Sequence, residues 1–266
     1  MNKTKVLVFA GYGLNCEEET KFAFEKCGAV VEIIHINDLI ANPRKISEFQ
    51  IMAFPGGFSY GDDTGSGNAY ANKLKNHLWK EIEQFVADKK LVIGICNGFQ
   101  ILVNLGLLPA IDFKYGDREV GLLHNESARY IDRWVDLKVE NDSPWLKGVT
   151  EFSTAISHGE GKLVASEKVL NELKQKKLIA LKYFKGEICT SENLPANPNG
   201  ALEDIAAITD ESGRVFGLMP HPERGMFFMQ RPDAQLLKEQ FKREGKPLPE
   251  FADGLKIFQN GVEYFK

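Results

Sequence analysis

The chain has 266 residues, of which 43% are hydrophobic and 26% charged, values close to those of ordinary globular proteins. This composition excludes disordered and fibrous chains, and the formal net charge of −4 provides no basic surface for nucleic acid. No apolar run approaches the ~18 residues of a membrane span. The apolar run at 6–10 is too short for the core of a signal peptide. We therefore expect a cytoplasmic protein with no nucleic-acid and no membrane partner.

Four cysteines occur in the chain, and none are paired in a C-x-x-C motif. A chain this long with so few cysteines is not a disulfide scaffold, so a reducing compartment is expected.

The first hundred residues alternate patterns of buried strands with patterns of helices. Strands are predicted at 5–10, 29–36, 51–54 and 91–95, and helices at 17–27, 68–88 and 97–105. Strands that are apolar on both faces and alternate with helices indicate a parallel sheet with helices on both sides. We predict an α/β fold with an open, three-layer, mostly parallel sheet.

The pattern changes in the middle of the chain, between about 112 and 165. Residues 134–139 and 152–156 alternate as in antiparallel strands. Later strands are predicted at 206–209 and 215–219, and a last helix at 253–265. Because no repeat or linker divides the chain, we predict a single domain, 1–266, with an antiparallel extension in its middle.

The strongest local signal for chemistry is a cysteine between two glycines, in the run Gly94-Ile-Cys96-Asn-Gly98. This run follows a predicted buried strand and opens a predicted helix, which is the arrangement of a nucleophile elbow. The start of a helix favours the thiolate form of a cysteine, and the carboxyl edge of an open sheet is where ligands bind. We predict that Cys96 is a nucleophile, although a small buried side chain at a helix start is the structural alternative.

A base for this thiol is predicted in the run Pro220-His221-Pro-Glu223, directly after the strand at 215–219. Prolines on both sides restrict the loop that carries His221. Glu223 lies two residues further on and can orient the imidazole and stabilise its charge.

Two parts of the chain could supply donors for an oxyanion. One is the backbone N–H of Asn97, which follows the cysteine, and the other is the glycine-rich run after the third strand, with Gly57 and Phe58. Gln100 lies one helical turn after the elbow and could hold a polar substrate. The alternatives are that the glycine-rich run is an ordinary turn and that Gln100 is a surface side chain.

Two other kinds of site are disfavoured. The run Gly11-Tyr-Gly13 follows strand one as in a dinucleotide fingerprint, but Cys16 stands where the third glycine would be. His158 and Glu160 lie between glycines and could ligate a metal, but no further ligands stand at a useful spacing. We expect no metal and no nucleotide cofactor on this chain.

The cysteine and histidine motifs resemble those of the class I glutamine amidotransferases. Four further runs narrow the resemblance to the glutaminase subunit of phosphoribosylformylglycinamidine synthase, an enzyme of purine biosynthesis. They are Pro-Gly-Gly-Phe-Ser-Tyr-Gly-Asp at 55–62, Ser-His-Gly-Glu-Gly at 157–161, Asn-Pro-Asn-Gly at 197–200 and Asp-Gly-Leu-Lys-Ile-Phe-Gln-Asn at 253–260.

The resemblance implies a flavodoxin-like sheet and a glutaminase. Cys96 would attack glutamine and form a thioester, His221 would carry protons and Glu223 would hold the histidine. Gly57 or Phe58, together with Asn97, would bind the oxyanion. Ammonia would pass to a synthase subunit that binds ATP, magnesium and formylglycinamide ribonucleotide, with or without a small accessory subunit. No Walker A run occurs in this chain, in keeping with ATP binding elsewhere.

The main alternative is a cysteine hydrolase or chaperone of the DJ-1 type, which has a similar elbow on a similar sheet. Those proteins place a histidine directly after the cysteine, whereas Asn97 stands there in this chain. A departure from the resembled family is the connection at 225–252, which is longer than usual and is predicted to be a surface excursion.

Overall fold

The computed structural model describes residues 3–266, which contain eleven strands and nine α-helices. The strands are β1 (Lys5–Ala10), β2 (Val30–His35), β3 (Ile51–Phe54), β4 (Leu91–Ile95), β5 (Val120–His124), β6 (Ile131–Val139), β7 (Glu151–His158), β8 (Glu160–Ala165), β9 (Ile179–Phe184), β10 (Ile205–Thr209) and β11 (Val215–Leu218). The helices are α1 (Glu17–Lys26), α2 (Ile36–Ala41), α3 (Asn68–His77), α4 (Trp79–Ala87), α5 (Asn97–Leu105), α6 (Glu167–Gln175), α7 (Glu187–Ser191), α8 (Ala234–Arg243) and α9 (Gly254–Glu263).

Nine of the strands form one sheet, in the order β2-β1-β3-β4-β11-β10-β9-β6-β7. The first five strands of this order are parallel to one another, and the other four pair antiparallel. β5 and β8 form a separate antiparallel pair. The predicted α/β fold is confirmed, but the antiparallel part is wider than predicted because it also takes in β9 and β10.

The parallel half has the core of a sheet that is covered on both faces. The side chains of Val6, Leu7, Val8 and Phe9 on β1 all have no exposed surface, so the strand is buried on both sides. Helix α1 packs against α9 and helix α5 against α3. This arrangement places the carboxyl ends of β4 and β11 next to each other.

The helix predicted over 68–88 is wrong in one respect, because the chain breaks it into α3 and α4. Leu78 stands between the two helices with a φ of −130°, outside the helical region. Its side chain is fully buried, so the break between the two helices lies within the core.

The connection at 225–252 is a surface excursion, as predicted. Its two ends are joined by backbone hydrogen bonds from Ala252 to Met226 and from Phe228 to Glu250. Helix α8 lies within it and is exposed over most of its length. Within residues 3–266, no helix is long and apolar enough to cross a bilayer.

Candidate active site

Cys96 stands in the strand-to-helix turn between β4 and α5. Its φ of 51° and ψ of −107° are strained values for a residue that is not glycine. A Cβ atom on Gly94 would lie 2.6 Å from the carbonyl oxygen of Gly98, and one on Gly98 would collide with the carbonyl oxygen of Phe54. Both flanking glycines are therefore required, and the turn holds the thiol at the carboxyl edge of β4.

His221 and Glu223 form a buried pair just beyond β11. The imidazole Nδ1 lies 2.6 Å from the carboxylate Oε1, and the two residues are 2% and 1% exposed. The backbone of His221 is held by β7, since its N–H donates to the carbonyl of Ala155 at 2.8 Å. Among residues 3–266 the ring Nε2 has no hydrogen-bond partner, so it is the nitrogen that can exchange a proton.

The electrostatics of this pair favour a charged imidazole. Burial opposes the charge, but the carboxylate of Glu223 and the thiol of Cys96 outweigh burial, so the pKa of His221 lies well above its usual value. The raised pKa makes the neutral imidazole a strong enough base to take the proton of a neighbouring thiol, which gives a thiolate beside an imidazolium.

The register of the sheet brings Cys96 and His221 together. Leu218 on β11 stands opposite Ile95 on β4, and the N–H of Cys96 donates to the Leu218 carbonyl at 2.8 Å. Both side chains border Gly56, where a Cβ atom would lie 2.7 Å from Cε1 of His221 and 3.5 Å from Cβ of Cys96. The two predicted catalytic side chains therefore lie on either side of a position that must be glycine.

The backbone donors near the thiol differ in availability. The N–H of Phe58 donates to the carbonyl of Gly13 at 2.8 Å, so it is already used. The N–H groups of Gly57 and Asn97 have no acceptor within the described part of the chain. Of the two alternatives left open by the sequence, the geometry favours Gly57 with Asn97 as oxyanion donors.

The side chains of Asn97 and Gln100 tie this region together. Asn97 accepts from the N–H of Ser59 at 3.1 Å and donates to Oε1 of Gln100 at 2.9 Å. Gln100 in turn donates from Nε2 to the carbonyl of Glu160 at 2.5 Å. One N–H and one lone pair of Gln100 have no partner within residues 3–266.

The tight turn that joins β7 to β8, two strands that pair in different sheets, forms one wall of the site. The carbonyl oxygen of Ser157 lies 3.8 Å from the Cys96 sulfur. His158 is 2% exposed, its Nδ1 lies 3.1 Å from Oδ1 of Asn125, and burial, with a smaller effect of the His221 charge, lowers its pKa to about 3. The imidazole of His158 is therefore neutral. His158 and Glu160 do not meet as a group of metal ligands within residues 3–266.

Cys16 is a residue of the site that the sequence did not single out as such. Its sulfur, a ring nitrogen of His221 and a carboxylate oxygen of Glu223 all lie within 4.8 Å of one another. Burial raises the pKa of this thiol, and the nearby imidazole of His221 lowers it by less. The available signal was position, because Cys16 follows β1 at the same sheet edge where Cys96 follows β4.

The glycine run at 11–13 serves the site through its backbone. Besides the bond from Phe58 to Gly13, the N–H of Tyr60 donates to the carbonyl of Tyr12 at 2.6 Å. The loop that the sequence left open as a weak nucleotide site is therefore occupied by the chain's own 58–60 segment.

Comparison with known proteins gives one consistent result. A family described as CobB/CobQ-like glutamine amidotransferase domain matches residues 3–265. The chain is 51% identical over 270 residues to phosphoribosylformylglycinamidine synthase subunit PurQ of Methanococcus maripaludis, covering 98% of this chain and 97% of that protein. It is 44% identical over 266 residues to the protein of the same name from Dehalococcoides mccartyi, covering 99% and 98%. A chain in the solved structure of PurLQS from Thermotoga maritima matches with a TM-score of 0.72 and 30% identity over 100% of both chains.

Proposed function

The chain belongs to the PurQ family of glutamine amidotransferases, and we propose that Cys96, His221 and Glu223 are the catalytic residues with which it supplies ammonia. It is the glutaminase subunit of phosphoribosylformylglycinamidine synthase, and it hydrolyses glutamine to glutamate and ammonia. The observation that carries the assignment of residues is the Cys96 turn beside a buried His221–Glu223 pair. The family match favours this interpretation over a hydrolase or chaperone of the DJ-1 type.

The first half of the reaction forms the thioester. The proton of Cys96 passes to Nε2 of His221, and Glu223 stabilises the resulting imidazolium through Nδ1. The thiolate attacks the side-chain carbonyl carbon of glutamine, and the N–H groups of Gly57 and Asn97 bind the oxyanion. His221 then gives its proton to the amide nitrogen, the carbon–nitrogen bond breaks and ammonia leaves.

The second half of the reaction returns the enzyme to its starting state. A water molecule gives one proton to Nε2 of His221 as its oxygen attacks the thioester carbon. The carbon–sulfur bond breaks, glutamate leaves and the thiolate of Cys96 recovers its proton from His221. The substrate is held through the free N–H and lone pair of Gln100 and through the exposed ring of Phe58, which is 42% exposed beside the site.

The ammonia released at Cys96 passes to a separate synthase subunit, with or without a small accessory subunit. The synthase subunit binds ATP, magnesium and formylglycinamide ribonucleotide. This chain itself binds no cofactor and works in the cytoplasm. The continuous nine-stranded sheet supports a single domain, 1–266.

The test compares two nitrogen sources in the complex of this chain with its synthase subunit. Cys96→Ser should abolish product formation from glutamine and leave formation from added ammonia unchanged, whereas Cys27→Ser, at a partly buried thiol at the C-terminal end of α1, should change neither. A glutamine-like electrophile should label Cys96 and spare the other three cysteines. Labelling of several cysteines to the same extent would contradict the assignment of the nucleophile.

A further inference from the structure

Three buried side chains with metal-binding atoms meet at the base of the active site. Cys16, His221 and Glu223 are 1%, 2% and 1% exposed, and they are the one such group within residues 3–266. Nε2 of His221 and Oε2 of Glu223 have no hydrogen-bond partner there, although both atoms are buried. Buried polar atoms without partners are uncommon and indicate a ligand or a chemical role.

We propose that Cys16, His221 and Glu223 form a binding site for a zinc-like metal ion, and that occupation of this site reversibly inhibits glutamine hydrolysis. One thiolate, one imidazole and one carboxylate make a three-ligand set of the kind that Zn²⁺ accepts, with a fourth position open to water. The hard ions Mg²⁺ and Ca²⁺ prefer oxygen ligands, so the thiol of Cys16 excludes them.

The geometry needs a small adjustment to hold the ion. Zinc–ligand bonds of about 2.0 to 2.3 Å place tetrahedral ligand atoms roughly 3.3 to 3.8 Å apart. The three atoms now lie within 4.8 Å of one another, so they need to approach by no more than about 1.5 Å. The ion would also replace or rearrange the contact of 2.6 Å between Nδ1 of His221 and Oε1 of Glu223.

The space between the ligands depends on a glycine. A Cβ atom on Gly56 would lie 3.1 Å from the sulfur of Cys16 and 2.7 Å from Cε1 of His221. The N–H of Cys16 donates to the carbonyl of Gly56 at 3.1 Å, which fixes the thiol beside this open position.

The charges around the three ligands are compatible with a divalent cation. Arg224 donates from Nη2 to the sulfur of Cys16 at 3.2 Å, and the same atom lies 3.3 Å from Oε1 of Glu19. The guanidinium favours ionisation of the thiol against the larger opposing effect of burial, and its own charge is compensated by Glu19. With Cys16 as a thiolate and Glu223 as a carboxylate, the ligands carry two negative charges to balance the metal.

Inhibition follows from the atoms that the ion would occupy. An imidazole bound to zinc, or separated from Glu223 by it, cannot accept the proton of Cys96. This part of the inference rests on the proposed role of His221, whereas binding of the metal does not depend on it.

The first experiment measures binding without activity. The full chain carrying Cys96→Ser, which lacks the other thiol of the site, is titrated with Zn²⁺ against a chromophoric chelator under reducing conditions. We expect one zinc ion per chain, and Cys16→Ser or Cys16→Ala added to this variant should weaken binding at least about tenfold, since loss of even a supporting group costs that much. Cys27→Ser added instead is the matched control and should leave the affinity unchanged. Equal affinity with and without Cys16 would overturn the site.

The second experiment measures inhibition in the complex with the synthase subunit. Zn²⁺ should suppress product formation from glutamine but not from added ammonia, and a chelator should restore it. The Cys16→Ser variant should need at least about tenfold more zinc for the same inhibition. Equal inhibition of wild type and Cys16→Ser would overturn the proposal. Because labelling of Cys96 tests the catalytic assignment and zinc binding to the Cys96→Ser variant tests the metal site, the failure of one is distinguishable from the failure of the other.

Discussion

The parallel and antiparallel halves of the large sheet contribute to the active site in different ways. In the parallel half, β4 and β11 end side by side and present Cys96 and His221 directly from their carboxyl ends. In the antiparallel half, β7 contributes backbone carbonyl groups, from Ser157 toward the thiol and from Ala155 to the N–H of His221. One half supplies the reacting groups, and the other supplies the wall that positions them.

The two parts of the site are held in place by different kinds of contact. The reacting groups are placed by the ladder between β4 and β11 and by glycines that let the backbone turn tightly beside them. The wall continues from β7 into β8, in the separate β5–β8 pair, and β8 is held by side chains from distant segments: Gln100 donates to the carbonyl of Glu160 and Asn199 to the carbonyl of Gly161. Substitutions in the parallel half should therefore change kcat, and substitutions that affect the wall should change substrate binding and stability.

The largest effect is expected for Glu223→Gln in the parallel half. Loss of the carboxylate removes the charge that stabilises the imidazolium, so kcat for glutamine should fall about 10³- to 10⁴-fold with little change in KM. The rate of glutamate release in the synthase complex measures this. Glu19→Gln, at a partly exposed carboxylate that pairs with Arg224, is the control. A loss smaller than about tenfold would contradict the role of Glu223.

The next effect is expected for Gly57→Ala, in the loop that supplies the oxyanion donor. The φ of Gly57 is +150°, and a Cβ atom there would lie 2.6 Å from the carbonyl oxygen of Gly13, so the loop must move. Displacement of this N–H should lower kcat about 10²- to 10³-fold. Gly65→Ala is the control in the same region: its φ of +91° also strains an alanine, but a Cβ atom there would meet nothing within 4 Å, so it should keep most of the activity. Similar losses in both variants would show that the effect is not specific to Gly57.

A smaller effect is expected for Asn199→Ala, which acts on the wall of the site. Asn199 is buried, and its Nδ2 donates to the carbonyl of Gly161 on β8 at 2.9 Å, so it supports this part of the wall from a distant loop. Its loss should raise KM for glutamine about tenfold, which corresponds to roughly 1.4 kcal/mol of binding free energy. The change in kcat should be less than about threefold.

Asn197→Ala provides the matched comparison for Asn199. Its hydrogen bonds all remain within the 197–204 segment, to Ala201 and Asp204 and from the N–H groups of Asn199 and Gly200, so it should affect stability without a comparable rise in KM. Steady-state kinetics of the two variants separates the support of β8 from a general loss of stability. Equal KM values for both would argue against a positioning role for Asn199.

The smallest effect concerns the pH dependence of stability through His158. Because the pKa is about 3 in the folded chain and about 6.5 when unfolded, the unfolded state binds more protons as the pH falls. The contribution to stability is complete above pH ~6.5 and is lost below it, by about 1 kcal/mol between pH ~7.5 and ~5.5. His158→Gln should remove this part of the decline in the free energy of unfolding, measured with urea at several pH values. Parallel pH profiles for wild type and variant would contradict the buried neutral state.

The sequence alone determined the features that depend on short stretches of chain. A buried strand followed by Gly-x-Cys-x-Gly permits few conformations, because each glycine is needed where the backbone comes close to itself. His221, which lies between two prolines and is followed two residues later by Glu223, is likewise specified within a short stretch of chain. These signals fixed the strand-to-helix turn, the positions of Cys96 and His221 at the sheet edge and the α/β fold class.

The tertiary structure decided which groups at long sequence separation become partners. It showed that the N–H of Phe58 donates to the carbonyl of Gly13, whereas the N–H of Gly57 has no acceptor within residues 3–266. It also showed that Cys16 lies beside His221. It also extended the antiparallel half to β9 and β10. No local pattern specifies these pairings, because a short stretch of sequence does not show which distant segment its N–H groups or thiols will meet. The packing of the whole sheet selects the partners.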